Sequence, residues 1–202
     1  KRESMKLLSS ATKNDVLDSM IKILDRERES ILAANGKDLA AFQKDDQALY
    51  DRLIVDDGKI DGMIKAITEV KAQQDPVGNE ISDLTLESGL RVVNKTAPFG
   101  TIMIIYESRP DVTIEAAVLA FKANNKILLK GGKEALQSNL VLERCWHEAL
   151  AENGLSKDWI KLLHLKREET QAFLNPLQGI GLGVPHNDKV AISVEHFADI
   201  FE

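Results

Sequence analysis

Two short clusters in this sequence carry side chains able to work on an anionic ligand. The first is Tyr106-Glu107-Ser108-Arg109-Pro110-Asp111, with a hydroxyl, a guanidinium and two carboxylates ahead of a proline that can open a helix. The planar fork of Arg109 suits a phosphate or carboxylate, because it can donate two parallel hydrogen bonds. The competing structural reading is that Arg109 and Glu107 pair with each other and cap the following helix. The second cluster is Lys130-Gly131-Gly132-Lys133-Glu134. Its glycines allow close backbone approach to a ligand, and its lysines can neutralise phosphate charge. Read structurally, it is a tight turn with solvated lysines. It is neither a P-loop nor GxGxxG, so it is weak alone and gains weight beside the first cluster.

Other candidates carry less. Cys145 lies in Leu142-Glu143-Arg144-Cys145-Trp146, an amphipathic helical stretch, and reads as a buried structural thiol rather than a nucleophile. His147, His164, His186 and His196 show neither i,i+4 pairing nor metal-ligand spacing, so no metal is expected. Gly181-Leu182-Gly183 has no clear strand before it and reads as a turn.

Both clusters follow short apolar runs that read as strands. Thr101–Ile105 is continuously apolar after its first residue, as for a strand buried on both faces, and Lys126-Ile127-Leu128-Leu129 is the next such run. Helices are predicted over Val112–Phe121 and Glu134–Ala151, then a strand at Trp159–Leu163 and a helix at Lys166–Leu174. That alternation implies a parallel sheet, and ligands of such sheets bind beyond the carboxyl ends of strands, where both clusters fall. Upstream, an apolar stripe from Leu17 to Ile31 predicts a helix capped by Asn14 and ended near Gly36. Ile60 to Val70 predicts a second helix behind Asp56 and Asp57. After the turn signal Asp75-Pro76-Val77-Gly78, the runs 80–87 and 90–97 read as a hairpin hinged at Ser88-Gly89. Past Asn175 only a loop and a short strand at Lys189–Val194 are predicted, and the sheet looks unfinished.

The whole chain has 202 residues, 44% hydrophobic and 29% charged, enough for a buried core. One Cys excludes an internal disulfide framework and suits a reducing compartment. No apolar run reaches the ~20 residues of a membrane span, and the first residues lack the apolar stretch of a secretory signal. A net charge of -6 disfavours nucleic acid as a partner. A cytoplasmic enzyme, or a piece of one, is expected.

The run Ile104-Ile105-Tyr106-Glu107-Ser108-Arg109-Pro110-Asp111-Val112-Thr113, followed by Leu129–Ala135 and Ser138-Asn139, closely resembles gamma-glutamyl phosphate reductases of the aldehyde dehydrogenase superfamily. Lys13-Asn14, Ala34-Asn35, Asp38-Leu39, Asp51-Arg52-Leu53, Asp75-Pro76-Val77-Gly78 and Pro98-Phe99-Gly100 fit the same pattern, colinear to about Leu174. The resemblance implies NADPH-dependent reduction of L-glutamyl 5-phosphate to glutamate 5-semialdehyde in proline biosynthesis. It also implies an α/β fold: N-terminal helices and a hairpin over 1–97, a Rossmann-like cofactor domain over 98–175, and an unassigned tail, a candidate C-terminal strand segment, over 176–202. By the same likeness, Glu107, Ser108, Arg109 and Pro110 lie near the nicotinamide and reacting carbonyl, with the role of Arg109 left open between substrate phosphate and cofactor pyrophosphate. Lys130, Gly131, Gly132, Lys133 and Glu134 lie by the adenosine ribose, where Lys130 or Lys133 meets the NADPH 2′-phosphate. The hairpin implies a homo-oligomer. The family's nucleophilic Cys stands in a Cys-Asn-Ala context that this sequence lacks, so the chain is expected to be incomplete and inactive alone. The rival readings are a non-catalytic nucleotide-binding fragment, another acylating aldehyde dehydrogenase such as a CoA-dependent one, and a structural oligomerisation module.

Overall fold

The computed structural model describes residues 6–43, 45–164, 169, 182–183 and 190–194, the last two ranges by backbone alone. The N-terminal stripe forms two helices rather than one, α1 (Ser10–Arg26) and α2 (Arg28–Ala41), which meet at Glu27. The cap of α1 is Ser9, whose hydroxyl accepts from the Thr12 amide at 3.0 Å. Asn14 instead lies one turn inside, where its Oδ1 accepts from Lys122 Nζ at 3.0 Å. Gly36 does not end α2. A Cβ there would meet nothing, so the position is merely tolerant, and the helix runs on five residues.

A short helix that the apolar spacing did not reveal, α3 (Gln47–Leu53), is capped by Asp46, and α4 (Asp57–Ala72) by Asp56 as expected. Strands β1 (Glu80–Thr85) and β2 (Arg91–Lys95) form the predicted antiparallel hairpin, turning at Gly89 with φ 82°. Then come β3 (Thr101–Ile105), α5 (Pro110–Lys122), β4 (Lys126–Lys130), α6 (Leu136–Glu152) and β5 (Ile160–Leu162). The helix expected over 166–174 lies outside the described residues apart from Glu169, which is helical.

Strand order in the main sheet is β5-β4-β3-β7-β6, with β6 at Leu182–Gly183 and β7 at Val190–Val194. The β3, β4 and β5 core is parallel as predicted, whereas β7 and β6 add antiparallel neighbours on the other side of β3. Leu182-Gly183 is therefore strand, not turn: it pairs with Ile192 and Ala191. That pairing is local in sequence, and only the pairing of β7 with β3 is long-range.

Helices α5 and α6 pack against the sheet, and α1 and α4 pack against α5 and α6. Val16, Leu17, Met20, Ile60, Ile67, Val118, Phe121, Ile127, Leu129, Trp146 and Ile160 share one apolar cluster there, each at most barely exposed. Each such fully buried aliphatic or aromatic side chain contributes roughly 1.5–3 kcal/mol. Of β3, only Met103 is fully buried, so the strand is less enclosed than its continuous apolar run predicts.

A polar knot ties these helices together. Lys13 Nζ, buried in α1, donates to both oxygens of Asp75 at 2.9 Å and to the Lys122 carbonyl at 3.0 Å. Burial lowers the pKa of the adjacent Lys122 ammonium, with Lys13 and Lys71 adding to that effect and Asp75 opposing it. A buried charge without a partner costs several kcal/mol, and the Lys13–Asp75 contact removes that penalty while fixing the turn that launches the hairpin.

Candidate functional site

The parallel register sets Ile105 beside Lys130, so β3 and β4 end together and their outgoing loops share one rim. The loops are bonded to each other. Tyr106 N donates to the Lys130 carbonyl at 3.0 Å, Gly132 N to the Glu107 carbonyl at 3.4 Å, and Ser108 Oγ to Glu134 Oε2 at 2.9 Å. Ser108 is only 1% exposed, which makes its hydroxyl part of the seam between the loops.

The glycines serve this seam. A Cβ on Gly131 would stand 2.4 Å from Asn139 Nδ2, and one on Gly132 would stand 2.5 Å from Ser108 Oγ. Both distances are far below contact, so the space beside each glycine is filled by the protein's own side chains. Beneath the seam, Tyr106 OH meets Thr113 Oγ1 at 2.7 Å, and Thr113 in turn donates to Asn139 Oδ1 at 2.7 Å. Since the threonine proton goes to Asn139, Tyr106 is the donor to Thr113. Burial raises the Tyr106 pKa, which keeps that phenol protonated.

Glu107 and Arg109 do not pair in the way the sequence allowed. Glu107 Oε2 accepts from Arg52 Nη1 at 3.0 Å, and Arg109 Nη2 donates to Asp111 Oδ2 at 2.9 Å. Pro110 takes the first turn of α5, where a missing N–H costs nothing. The Arg109 pKa is raised, first by its bond to Asp111, with the nearby charges of Asp111, Glu115 and Glu107 contributing after that. The other carboxylate oxygen of Asp111, Oδ1, is buried without a partner among the described residues. Lys133 is exposed on the rim, whereas Lys130 Nζ donates back to the Gly131 carbonyl at 2.9 Å.

Several residues that hold the rim in place gave no chemical signal in the sequence. Asp38 accepts from the amides of Gln137 and Ser138, at 3.0 and 2.8 Å, and so caps α6 from α2. Buried Asn35 donates to the Leu53 carbonyl at 2.8 Å and to Ser138 Oγ at 3.1 Å, and accepts from Val55 N at 2.8 Å. Asn35 thereby clamps the end of α3, including Arg52, against the start of α6. Their motif resemblance was the only hint. Cys145, 1% exposed on α6, has its thiol pushed up to about 12 by burial, with Glu27 next in effect, so it is not a nucleophile. Among the described residues no His, Cys, Asp and Glu cluster could hold a metal, and no helix is long and apolar enough to cross a membrane.

No family model matches the chain. Among curated proteins, gamma-glutamyl phosphate reductase of Shewanella woodyi is 40% identical over 158 residues, covering 77% of this chain and 37% of that protein. The Persephonella marina enzyme of that name is 40% identical over 190 residues, 91% of this chain and 43% of its own length. The crystal structure of the Thermotoga maritima gamma-glutamyl phosphate reductase matches with a TM-score of 0.75 at 36% identity, covering 81% of this chain and 40% of that one. Succinic semialdehyde dehydrogenase of Streptococcus pyogenes, solved with NADP+, shares the fold alone, with a TM-score of 0.63 at 16% identity over 84% of this chain and 34% of that one. This chain thus spans about two-fifths of the length of the curated relatives it matches. Over that length it is a relative of the gamma-glutamyl phosphate reductases, with an aldehyde-dehydrogenase fold.

Proposed function

We propose that this chain is the cofactor-binding portion of an enzyme that reduces L-glutamyl 5-phosphate with NADPH, releasing glutamate 5-semialdehyde and phosphate in proline biosynthesis. The observation that carries this reading is the seam that locks two consecutive strand-to-helix loops onto one rim, in a chain similar to reductases of that name. Such a rim is where open parallel sheets take their ligands.

The rim's side chains fit a phosphorylated dinucleotide. Lys133 is exposed and can meet a 2′-phosphate, while Lys130 already uses one of its three donors on the Gly131 carbonyl and is held by that bond. Gly131 and Gly132 shape the rim, because Asn139 and Ser108 fill the space on their Cβ side, and their half-exposed backbone remains open to the ligand. When bound, NADPH supplies the hydride. The chain's own part is to hold it against the loop of Glu107, Ser108, Arg109 and Pro110, where the exposed guanidinium edge of Arg109 is available to an anion. Cys145 cannot accept the acyl group, so we assign the thiolate that the resemblance implies to chain beyond these 202 residues. We place the supporting helices and hairpin in 1–97 and the cofactor-binding part in 98–175, and infer a homo-oligomer from the hairpin.

The test is phosphate-dependent oxidation of glutamate 5-semialdehyde with NADP+ by the full-length protein that carries this sequence. Turnover that needs phosphate and ignores CoA supports the reading, and turnover that needs CoA points to another acylating dehydrogenase. The buried, non-nucleophilic Cys145 favours one second reading, a nucleotide-binding chain without catalysis. It predicts NADPH binding with no turnover in the full-length protein.

A further inference from the structure

Arg52 and Glu107 stand 55 residues apart in sequence and meet on the rim at 3.0 Å. Arg52 is held firmly at its backbone. Its carbonyl accepts from Lys59 Nζ at 3.0 Å, and the next residue, Leu53, is fully buried with its carbonyl bound by Asn35 at 2.8 Å. Glu107 is held as firmly, its carbonyl accepting from Arg109 N at 2.9 Å and Gly132 N at 3.4 Å. Yet the two side chains are 50% and 48% exposed. An ion pair so open contributes at most about 1 kcal/mol to stability. Stability therefore does not account for two rigid mounts that present a cation and an anion side by side at a ligand-binding edge.

We propose that Arg52 and Glu107 form the subsite for the α-amino-acid end of the substrate. A zwitterionic amino acid carries a carboxylate and an ammonium on one carbon, and an adjacent guanidinium and carboxylate are its electrostatic complement. The ligand's carboxylate takes the open face of Arg52, whose planar fork accepts a second anion without releasing the first. Its ammonium takes the exposed oxygen of Glu107. The inference rests on the reaction proposed above and adds to it the recognition of the substrate's unreactive end. It also gives Arg52 a binding role that its sequence context, Asp51-Arg52-Leu53, did not reveal.

The experiment compares two aldehydes in phosphate-dependent oxidation by the full-length protein: glutamate 5-semialdehyde and 5-oxopentanoate, which lacks the ammonium. Glu107→Gln should raise the KM for the amino substrate about ten- to a hundredfold more than that for 5-oxopentanoate, the effect of losing a charge-assisted hydrogen bond. Arg52→Ala should raise both, because both carry the carboxylate, and Arg52→Lys should recover part of the loss. A merely structural role would move the KM values for the two aldehydes together, so the split between them in Glu107→Gln and the partial rescue by Arg52→Lys are the readouts that identify recognition. Unchanged KM values with turnover intact would overturn this subsite and leave the reaction standing. A parent protein inactive on both aldehydes would sink the reaction and the subsite together.

Discussion

Lys130 and Lys133 carry the same charge three positions apart, yet the fold gives them different freedom. Lys130 Nζ already bonds the Gly131 carbonyl, whereas Lys133 is exposed. If the 2′-phosphate binds here, Lys133→Ala should weaken NADPH by ~1–3 kcal/mol more than NADH, and Lys130→Ala by less, in calorimetric titrations. Equal loss for both cofactors would place the phosphate elsewhere. Gly132 offers an independent test of the seam. A Cβ there meets Ser108 Oγ at 2.5 Å, and Ser108 is buried, so the loops must separate to admit it. Gly132→Ala should cost about 1–3 kcal/mol in denaturant unfolding, as overpacking does. A neutral result would mean that the loops are not locked.

At the scale of elements, the Lys13–Asp75 contact makes a pH prediction. Burial pushes the Asp75 pKa up, but the bonds from Lys13, Val77 N and Ser10 outweigh it, so the net shift is downward from 3.8. A carboxylate whose folded pKa is depressed adds stability above its unfolded value, and that stability is lost as pH falls through the folded one. The protein should therefore lose stability as pH drops below about 3.8, and Asp75→Asn should be less stable at neutral pH with a flatter acid limb. A variant that tracks the parent across this window would show that the contact adds nothing. The elements themselves were legible to different degrees. Strands β3 and β4 stood out because buried parallel strands are continuous apolar runs between turn signals, and Pro110 marked the start of α5. The break between α1 and α2 did not, because Asp25-Arg26-Glu27-Arg28 contains no residue that stops a helix. At the site, the two loops could be placed on one edge from topology alone. Their contacts could not: Arg52 reaches Glu107, and Asn139 fills the space beside Gly131, only through tertiary packing.

At the scale of the whole molecule, the hairpin stands apart. Every residue of β1 and β2 is exposed, including Ile81 at 64%, Leu84 at 58% and Val92 at 47%. Two strands alone are at best marginally stable in water, and an apolar surface of this kind marks an interaction site. Our proposal of a homo-oligomer assigns it to a second copy. Light scattering should then give a multiple of the monomer mass, and Leu84→Glu with Val92→Glu should reduce it to the monomer; a monomeric parent would contradict the proposal. The account as a whole depends on both rim loops engaging one ligand. Hydrogen–deuterium exchange of the protein with and without NADPH tests this most directly. The prediction is slower exchange in both segments, 106–111 and 130–135, at NADPH concentrations that saturate binding. Protection confined to one segment, or found only elsewhere, would contradict it.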